Sequence, residues 1–219
     1  MSGSNFKHDL FGQFARVGKA LANGNRLELL EFLAQGERSV EQLALVSGLA
    51  VANTSQHLQQ LRQSGLVNCR KAGLQVFYKL SSDDVVELLN KLRRVAEREL
   101  ADVDRLVDTF LTVKDNLEPI ARKELLERVN DGLVTVIDVR PYEEFKAGHV
   151  PGAISIPLSD LHKHLDKLGT EQEIVAYCRG PHCVLAFDAV AELRKHGRTA
   201  RRMEDGFPEW KHAGLPVEE

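Results

Sequence analysis

Ile174-Val175-Ala176-Tyr177-Cys178-Arg179-Gly180-Pro181-His182-Cys183-Val184-Leu185-Ala186 is the stretch on which the fold turns. A short apolar run with a β-branched pair ends in a cysteine, and a turn carrying Gly180 and Pro181 follows. A helical pattern then begins with Val184, Leu185, Phe187, Ala189, Val190 and Leu193. A strand that hands over to a helix through a tight loop aims backbone N–H groups and the positive end of the helix dipole into that loop. A thiol placed there is expected to have a lowered pKa and to act as a nucleophile or as part of an anion site. The stretch alone fits a chemically silent cysteine buried at a strand end equally well. What flanks it decides.

On either side, helical and strand patterns alternate. A helix over Arg122–Val129 precedes a strand over Val134–Val139, and a helix over Pro141–Ala147 leads to a strand over Ala153–Ile156. A helix over Leu161–Leu168 leads to the strand Glu173–Tyr177, the Cys178 loop, a helix over Val184–His196 and a last strand over Arg198–Met203. Such alternation implies a small α/β domain with a largely parallel sheet. Ligands of such sheets sit outside the carboxyl ends of the strands, which is where Cys178 falls.

Two further stretches carry a resemblance. Asp138-Val139-Arg140-Pro141-Tyr142-Glu143-Glu144-Phe145-Lys146-Ala147-Gly148-His149-Val150-Pro151-Gly152-Ala153-Ile154-Ser155-Ile156-Pro157 resembles the opening signature of the rhodanese family. Gly206-Phe207-Pro208-Glu209-Trp210-Lys211 with Ala213-Gly214-Leu215-Pro216-Val217 resembles the closing one, so the likeness covers about Leu117 to Val217. It implies sulfur transfer: Cys178 as thiolate takes a sulfane sulfur, holds it as a persulfide and passes it to a thiol or cyanide. The loop Arg179, Gly180, Pro181, His182, Cys183, Val184 supplies N–H groups to the anionic sulfur. Asp138, Arg140 and Glu144 are expected to hold the loops through ion pairs or hydrogen bonds, Gly148, Gly152 and Gly206 to serve turns, and Trp210 to pack.

The spacing from Cys178 to Cys183 matches the sulfurtransferase branch of that family. The phosphatase branch has one residue more and ends in Arg, so arsenate or phosphate-ester chemistry is the weaker alternative. One departure matters. Cys183 stands where many rhodaneses carry a cation, leaving Arg179 and His182 as the positive charges of the loop. Either Cys183 is a resolving thiol that attacks a persulfide or sulfenate on Cys178, or it is an inert small residue. A bridge needs a Cα separation under ~7 Å, which five residues of curved loop permit without ensuring.

The N-terminal half has another rhythm. Asp9–Leu21 reads as a helix with Leu10, Phe11, Phe14, Val17 and Leu21 on one stripe, broken by Asn23-Gly24-Asn25. A second helix carries Leu27, Leu29, Leu30, Phe32 and Leu33 to Gly36. Ser39-Val40-Glu41-Gln42 has the form of a capping box, Ser47-Gly48-Leu49 is a tight turn, and a further helix runs over Val51–Ser64. That is helix-turn-helix spacing. Thr54, Leu58 and Leu61 would face a core. The opposite face is amide- and hydroxyl-rich (Asn53, Ser55, Gln56, Gln59, Gln60), suited to base edges and phosphates. His57 either touches DNA or packs under the helix.

Two β-prone runs around Ala72-Gly73 form a hairpin carrying Arg70 and Lys71, well placed for phosphates. Cys69 in its first strand reads as a small apolar filler. No acid occurs between Glu41 and Asp83, whereas Arg62, Arg70, Lys71 and Lys79 fall there, as expected of a polyanion surface. A long helix over about Asp84–Val113 follows, its apolar stripe (Val85, Leu88, Leu92, Val95, Leu106, Phe110) in need of the first helix and a second copy of the chain.

Val40-Glu41-Gln42-Leu43-Ala44, Ser47-Gly48-Leu49, Ser55-Gln56-His57-Leu58, Leu61-Arg62, Ser64-Gly65-Leu66-Val67 and Gly73 with Phe77-Tyr78-Lys79-Leu80 together resemble a winged-helix repressor of the ArsR/SmtB family. The resemblance implies a homodimer through the N-terminal domain, reading a palindromic operator in double-stranded DNA with Val51–Ser64 in the major groove. Ala50 replaces the family's capping serine, at some cost in cap stability. The thiolate metal box has no cysteine over Val40–Val46, and Asp102, Asp104 and Asp108 have no histidine beside them, so neither a metal nor another cofactor is expected.

At 219 residues and a net charge of −3 the chain suits two ordinary soluble domains. No window reaches ~18 uninterrupted apolar residues, the N-terminus lacks a signal-peptide core, and three cysteines are too few for a disulfide scaffold; a cytoplasmic chain with no membrane partner is expected. The expectation is thus two domains: a mainly α winged helix-turn-helix over 1–113, a linker over 114–119, and an α/β rhodanese-like domain over 120–219. A DNA-binding regulator would be fused to a sulfurtransferase, with a small sulfur donor or acceptor thiol as the second partner. The competing expectation is a redox or thiophile sensor that does not turn over.

Overall fold

Asn23 opens the second helix as a capping residue does: its backbone is extended and its side chain accepts the Arg26 N–H. In the computed structural model, which describes residues 3–112, 118–169 and 171–219, α1 spans Gly3–Leu21 and α2 Gly24–Ala34. Ser39 and Gln42 complete the expected capping box of α3, Val40–Ser47, and Gly48 closes that helix at φ +69°. The next helix, α4 (Val51–Gln63), begins at Ala50 with no side-chain cap. Leu29, Leu30, Leu43, Leu58 and Leu61 are fully buried where these helices meet. Strands β2 (Val67–Ala72) and β3 (Gln75–Leu80) pair antiparallel around Gly73. A two-residue strand that periodicity is too short to reveal, β1 (Arg38–Ser39), adds to the other side of β3.

The long helix is shorter than expected. Helix α5 covers Asp84–Glu99, Leu100 turns extended, and α6 restarts over Ala101–Val107 before a wider turn over Asp108–Thr112. Asp102 and Asp104 fall in the first turn of α6, where carboxylates favour a helix start over a helix interior. The chain divides into compact units at Leu89/Asn90, inside α5. Lys114–Leu117 of the expected linker lie outside the described residues.

In the second unit four strands run parallel in the order β5-β4-β6-β7: Ile154–Ser155, Val134–Asp138, Glu173–Tyr177 and Ala200–Arg202. Alternate residues face opposite ways. Ile137, Ile174 and Ala176 pack under α10 (Val184–Lys195), and Cys178 extends this row. Val136, Val175 and Tyr177 pack against α7 (Arg122–Asn130) and α11 (Phe207–His212). The edge strands are shorter than expected, and the helix read over 161–168 is one α-turn, α9 (Leu161–His164), between two 3₁₀ turns. A short helix α8 spans Tyr142–Lys146. No helix among the described residues is long and apolar enough to cross a membrane.

Candidate functional site

Parallel strands β4 and β6 end side by side, Asp138 opposite Tyr177, and the loop leaves the sheet one residue later at Cys178. Cys178 is 1% exposed and belongs to the core under α10. Its backbone is pinned from the far side, because the Phe207 N–H donates to the Cys178 carbonyl at 3.0 Å. The loop then turns through the Cys183 N–H to Gly180 carbonyl bond at 3.1 Å, and Cys183 is the cap position of α10. This turn brings the Cys178 and Cys183 Cα atoms to 6.2 Å, and the two sulfurs are joined as a disulfide. Among the described residues the N–H groups of Gly180, His182 and Val184 make no backbone hydrogen bond, and the Gly180 nitrogen is packed against Gly206.

The two basic side chains of the loop both have carboxylate partners. The Arg179 guanidinium forks onto Glu144 of α8, Nε at 3.0 Å from both oxygens and Nη2 at 2.7 Å from Oε1, with Glu144 only 1% exposed. His182 Nε2 lies 2.6 Å from Glu97 Oε1. Arg140 and Asp138 form the other expected clamp, both fully buried, with Nη2 also donating to the Gly148 carbonyl at 2.8 Å. Burial opposes the Arg140 charge, and the Asp138 hydrogen bonds and charge more than offset it, leaving the guanidinium more firmly protonated than usual. Burial first, then the Asp138 charge, pushes the Tyr177 phenol well above its ordinary range, and this neutral hydroxyl accepts the Val150 N–H at 3.1 Å.

Gly206 is required by close approach. A Cβ there would stand 2.3 Å from the Arg179 carbonyl carbon and from the Gly180 nitrogen. Trp210 is fully buried, and its indole N–H donates to the Pro216 carbonyl at 2.7 Å, which makes it a packing residue.

On α4, Asn53, Gln56, Gln59 and Arg62 are exposed together, while Ser55 and His57 are half-buried. His57 Nδ1 is buried without a hydrogen-bond partner among the described residues. Gln60 is exposed but accepts from Arg26, whose Nη2 also donates to the Lys19 carbonyl at 2.8 Å. On the hairpin, Lys71 is exposed and Arg70 forks onto Glu37, with Nε 2.9 Å from Oε1. The Arg70 hydrogen bond holds the Glu37 carboxyl below its usual range. Cys69 is a half-buried free thiol packed against the N-terminal core. No group of His, Cys, Asp and Glu among the described residues could hold a metal ion.

Sequence reasoning missed the carboxylates Glu37, Glu97 and Glu209. Glu37 lies just outside the acid-free stretch and returns to it through β1–β3 pairing. Glu97 follows Arg93 by four residues on one helix face, a spacing visible in the sequence but without a visible target.

Two families match separate parts of the chain: the bacterial regulatory protein, arsR family, over residues 23–68, and the rhodanese-like domain over residues 121–213. The HTH-type transcriptional regulator Rv0324 of Mycobacterium tuberculosis (strain ATCC 25618 / H37Rv) is 47% identical over 216 residues, covering 99% of this chain and 95% of that one. This protein therefore belongs to the ArsR family of transcriptional regulators and carries a C-terminal rhodanese-like domain. The tRNA sulfurtransferase of Desulfurococcus amylolyticus is 27% identical over 210 residues, 91% of this chain and 41% of that one. Among solved structures, the homodimeric winged helix-turn-helix DNA-binding domain (fragment 1–100) of Mb0332 from Mycobacterium bovis is 44% identical, covers 46% of this chain and 94% of its own, and has a TM-score of 0.42.

Proposed function

We propose that this regulator binds a palindromic operator as a homodimer, and that sulfane sulfur or an oxidant acting on Cys178 changes its affinity for that operator. The Cys178 thiolate attacks the terminal sulfur of a hydropersulfide RS–SH: the Cys178–sulfur bond forms, the RS–S bond breaks, and RS⁻ leaves. The product is a persulfide on Cys178. Cys183 thiolate then attacks the Cys178 sulfur, the disulfide forms and HS⁻ is expelled; two thiols are oxidised and one sulfane sulfur is reduced. The observation that carries this reading is the Cys178–Cys183 bridge across one strand-to-helix loop, at a Cα separation of 6.2 Å.

Commitment of Arg179 to Glu144 supports sensing over rapid turnover with an anionic donor, since no loop cation is left unpaired for a substrate's charge. Dimerisation is supported by the apolar side chains that α1 of the first unit leaves exposed (Phe6, Phe11, Phe14), which a second copy could cover. The exposed face of α4 with Lys71 of the hairpin supports DNA contact. The test is intact mass together with binding to a duplex selected by the protein from a random-sequence pool, before and after polysulfide treatment. The expected result is a gain of about 32 Da in Cys183→Ser and a loss of about 2 Da in wild type, with altered duplex affinity in wild type alone. Binding that is unmoved by polysulfide or peroxide, in wild type and Cys178→Ser alike, would sink the proposal.

A further inference from the structure

The second compact unit begins at Asn90, so the last turns of α5 are part of it. Two side chains one helical turn apart on this segment reach the cysteine loop. Glu97 Oε1 is 2.6 Å from Nε2 of His182, the residue immediately before Cys183. Arg93 Nη1 is 3.2 Å from Oε1 of Glu209, whose other oxygen accepts the Gly206 N–H at 3.1 Å. Gly206 in turn lies flat against the Arg179–Gly180 peptide, and the next N–H, from Phe207, holds the Cys178 carbonyl. The helix thus grips both ends of the loop, the Cys178 end through Glu209 and Gly206, the Cys183 end through His182.

The two grips differ in stiffness. Glu209 is 8% exposed and built into packed backbone. Glu97 and His182 are 32% and 38% exposed, and their contact joins two flexible side chains. Of the two grips, the Glu97–His182 contact is the one next in sequence to a bridging cysteine and the more easily altered.

We infer that Glu97 is a positioning residue for the Cys178–Cys183 disulfide, holding His182 where the Cys183 sulfur meets the Cys178 sulfur. The inference deepens the proposed function and rests on its reading of the two thiols as a redox pair. Linkage makes the effect reciprocal: if Glu97 favours the closed loop, closing the loop favours the helix geometry that presents Glu97. The last turns of α5 then report the state of the cysteines.

The test equilibrates the full chain in glutathione buffers and counts alkylated thiols by mass. Oxidised glutathione takes two electrons from Cys178 and Cys183, becoming two glutathione thiols as the protein disulfide forms. Glu97→Ala is expected to lower the equilibrium constant for closure about fivefold, at the upper end for a partly exposed side-chain pair. Glu97→Gln, which keeps a hydrogen-bond acceptor for His182, recovers part of that loss. His182→Ala gives the same loss as Glu97→Ala, and the double variant loses no more than either. Glu99→Ala, on the same helix but paired with Arg98, stays at the wild-type value. Closure in Glu97→Ala within about twofold of wild type, or losses in the two single variants that simply add, would overturn the inference. Adding the selected DNA duplex separates the two ideas. A wild-type constant that DNA does not move contradicts the proposed function, while the Glu97 dependence measured without DNA still supports this one.

Discussion

Two arginines sit where an anion is expected, Arg70 on the hairpin and Arg179 in the cysteine loop, and both are forked onto a glutamate of the chain itself. The chemistry of the pairs is the same and their surroundings are not. The side chains of Arg70 and Glu37 are 56% and 28% exposed, whereas those of Arg179 and Glu144 are 15% and 1% exposed. An exposed pair is worth little in water and can exchange one anion for another. A buried pair cannot, because release strands a carboxylate in the core. Arg70 can leave Glu37 at little cost, and Arg179 is a structural bolt that fixes the first residue after Cys178.

The largest effect that could break this contrast is on stability. Glu144→Ala leaves the Arg179 guanidinium without its buried partner and should cost about 3–5 kcal/mol, read as a shifted urea midpoint of the second unit in the full chain. Arg70→Ala, assayed in the same way, should lie within about 0.5 kcal/mol of wild type. Equal costs at the two sites would mean that burial does not separate the pairs. A smaller loss tests the bolt from behind. Gly206→Ala places a methyl against the Arg179–Gly180 peptide and should cost about 1–3 kcal/mol by overpacking. It should also change the rate at which the reduced Cys178 thiol reacts with iodoacetamide, because the loop must shift to make room. An unchanged rate would mean that the loop is not held from that side.

The contrast also shows what could be read without coordinates. Hydrophobic spacing and caps are local, so the α2–α4 helices, the hairpin and the strand–loop–helix around Cys178 follow from neighbouring residues, with the box at Ser39 and Gln42 found as expected. Asp138 with Arg140 was legible because both lie in one short motif. The partner of Arg179 was less so: Glu144 was expected to hold a loop, yet it lies 35 residues from Arg179 in sequence, and only β4–β6 pairing brings the two within 2.7 Å. Glu37 and Glu97 are glutamates among many on polar faces, and nothing local marks them. The break at Leu100 escaped because apolar residues continue at helical spacing across it, while the acids of Asp102 and Asp104 that favour a restart resemble any solvated face.

The smallest expected effect gives the sharpest statement about Arg70. Glu37→Gln keeps the shape of the pair and removes its charge, so Arg70 meets a phosphate without first leaving a carboxylate. Affinity for a DNA duplex should rise about two- to fivefold at low salt, the reverse of the loss expected for Arg70→Ala. Since Arg70 holds the Glu37 carboxyl below its usual range, the wild-type pair persists as pH falls through the ordinary carboxylate range and is lost only below it. The gain of Glu37→Gln over wild type should therefore be flat between about pH 5 and 8. It should also shrink as salt rises, since both the pair and the phosphate contact are screened. Titrations of fluorescent duplex across pH and salt check this. A gain that persists undiminished at high salt would mean that Glu37 acts through the fold of the hairpin, and Arg70 would then be as fixed as Arg179.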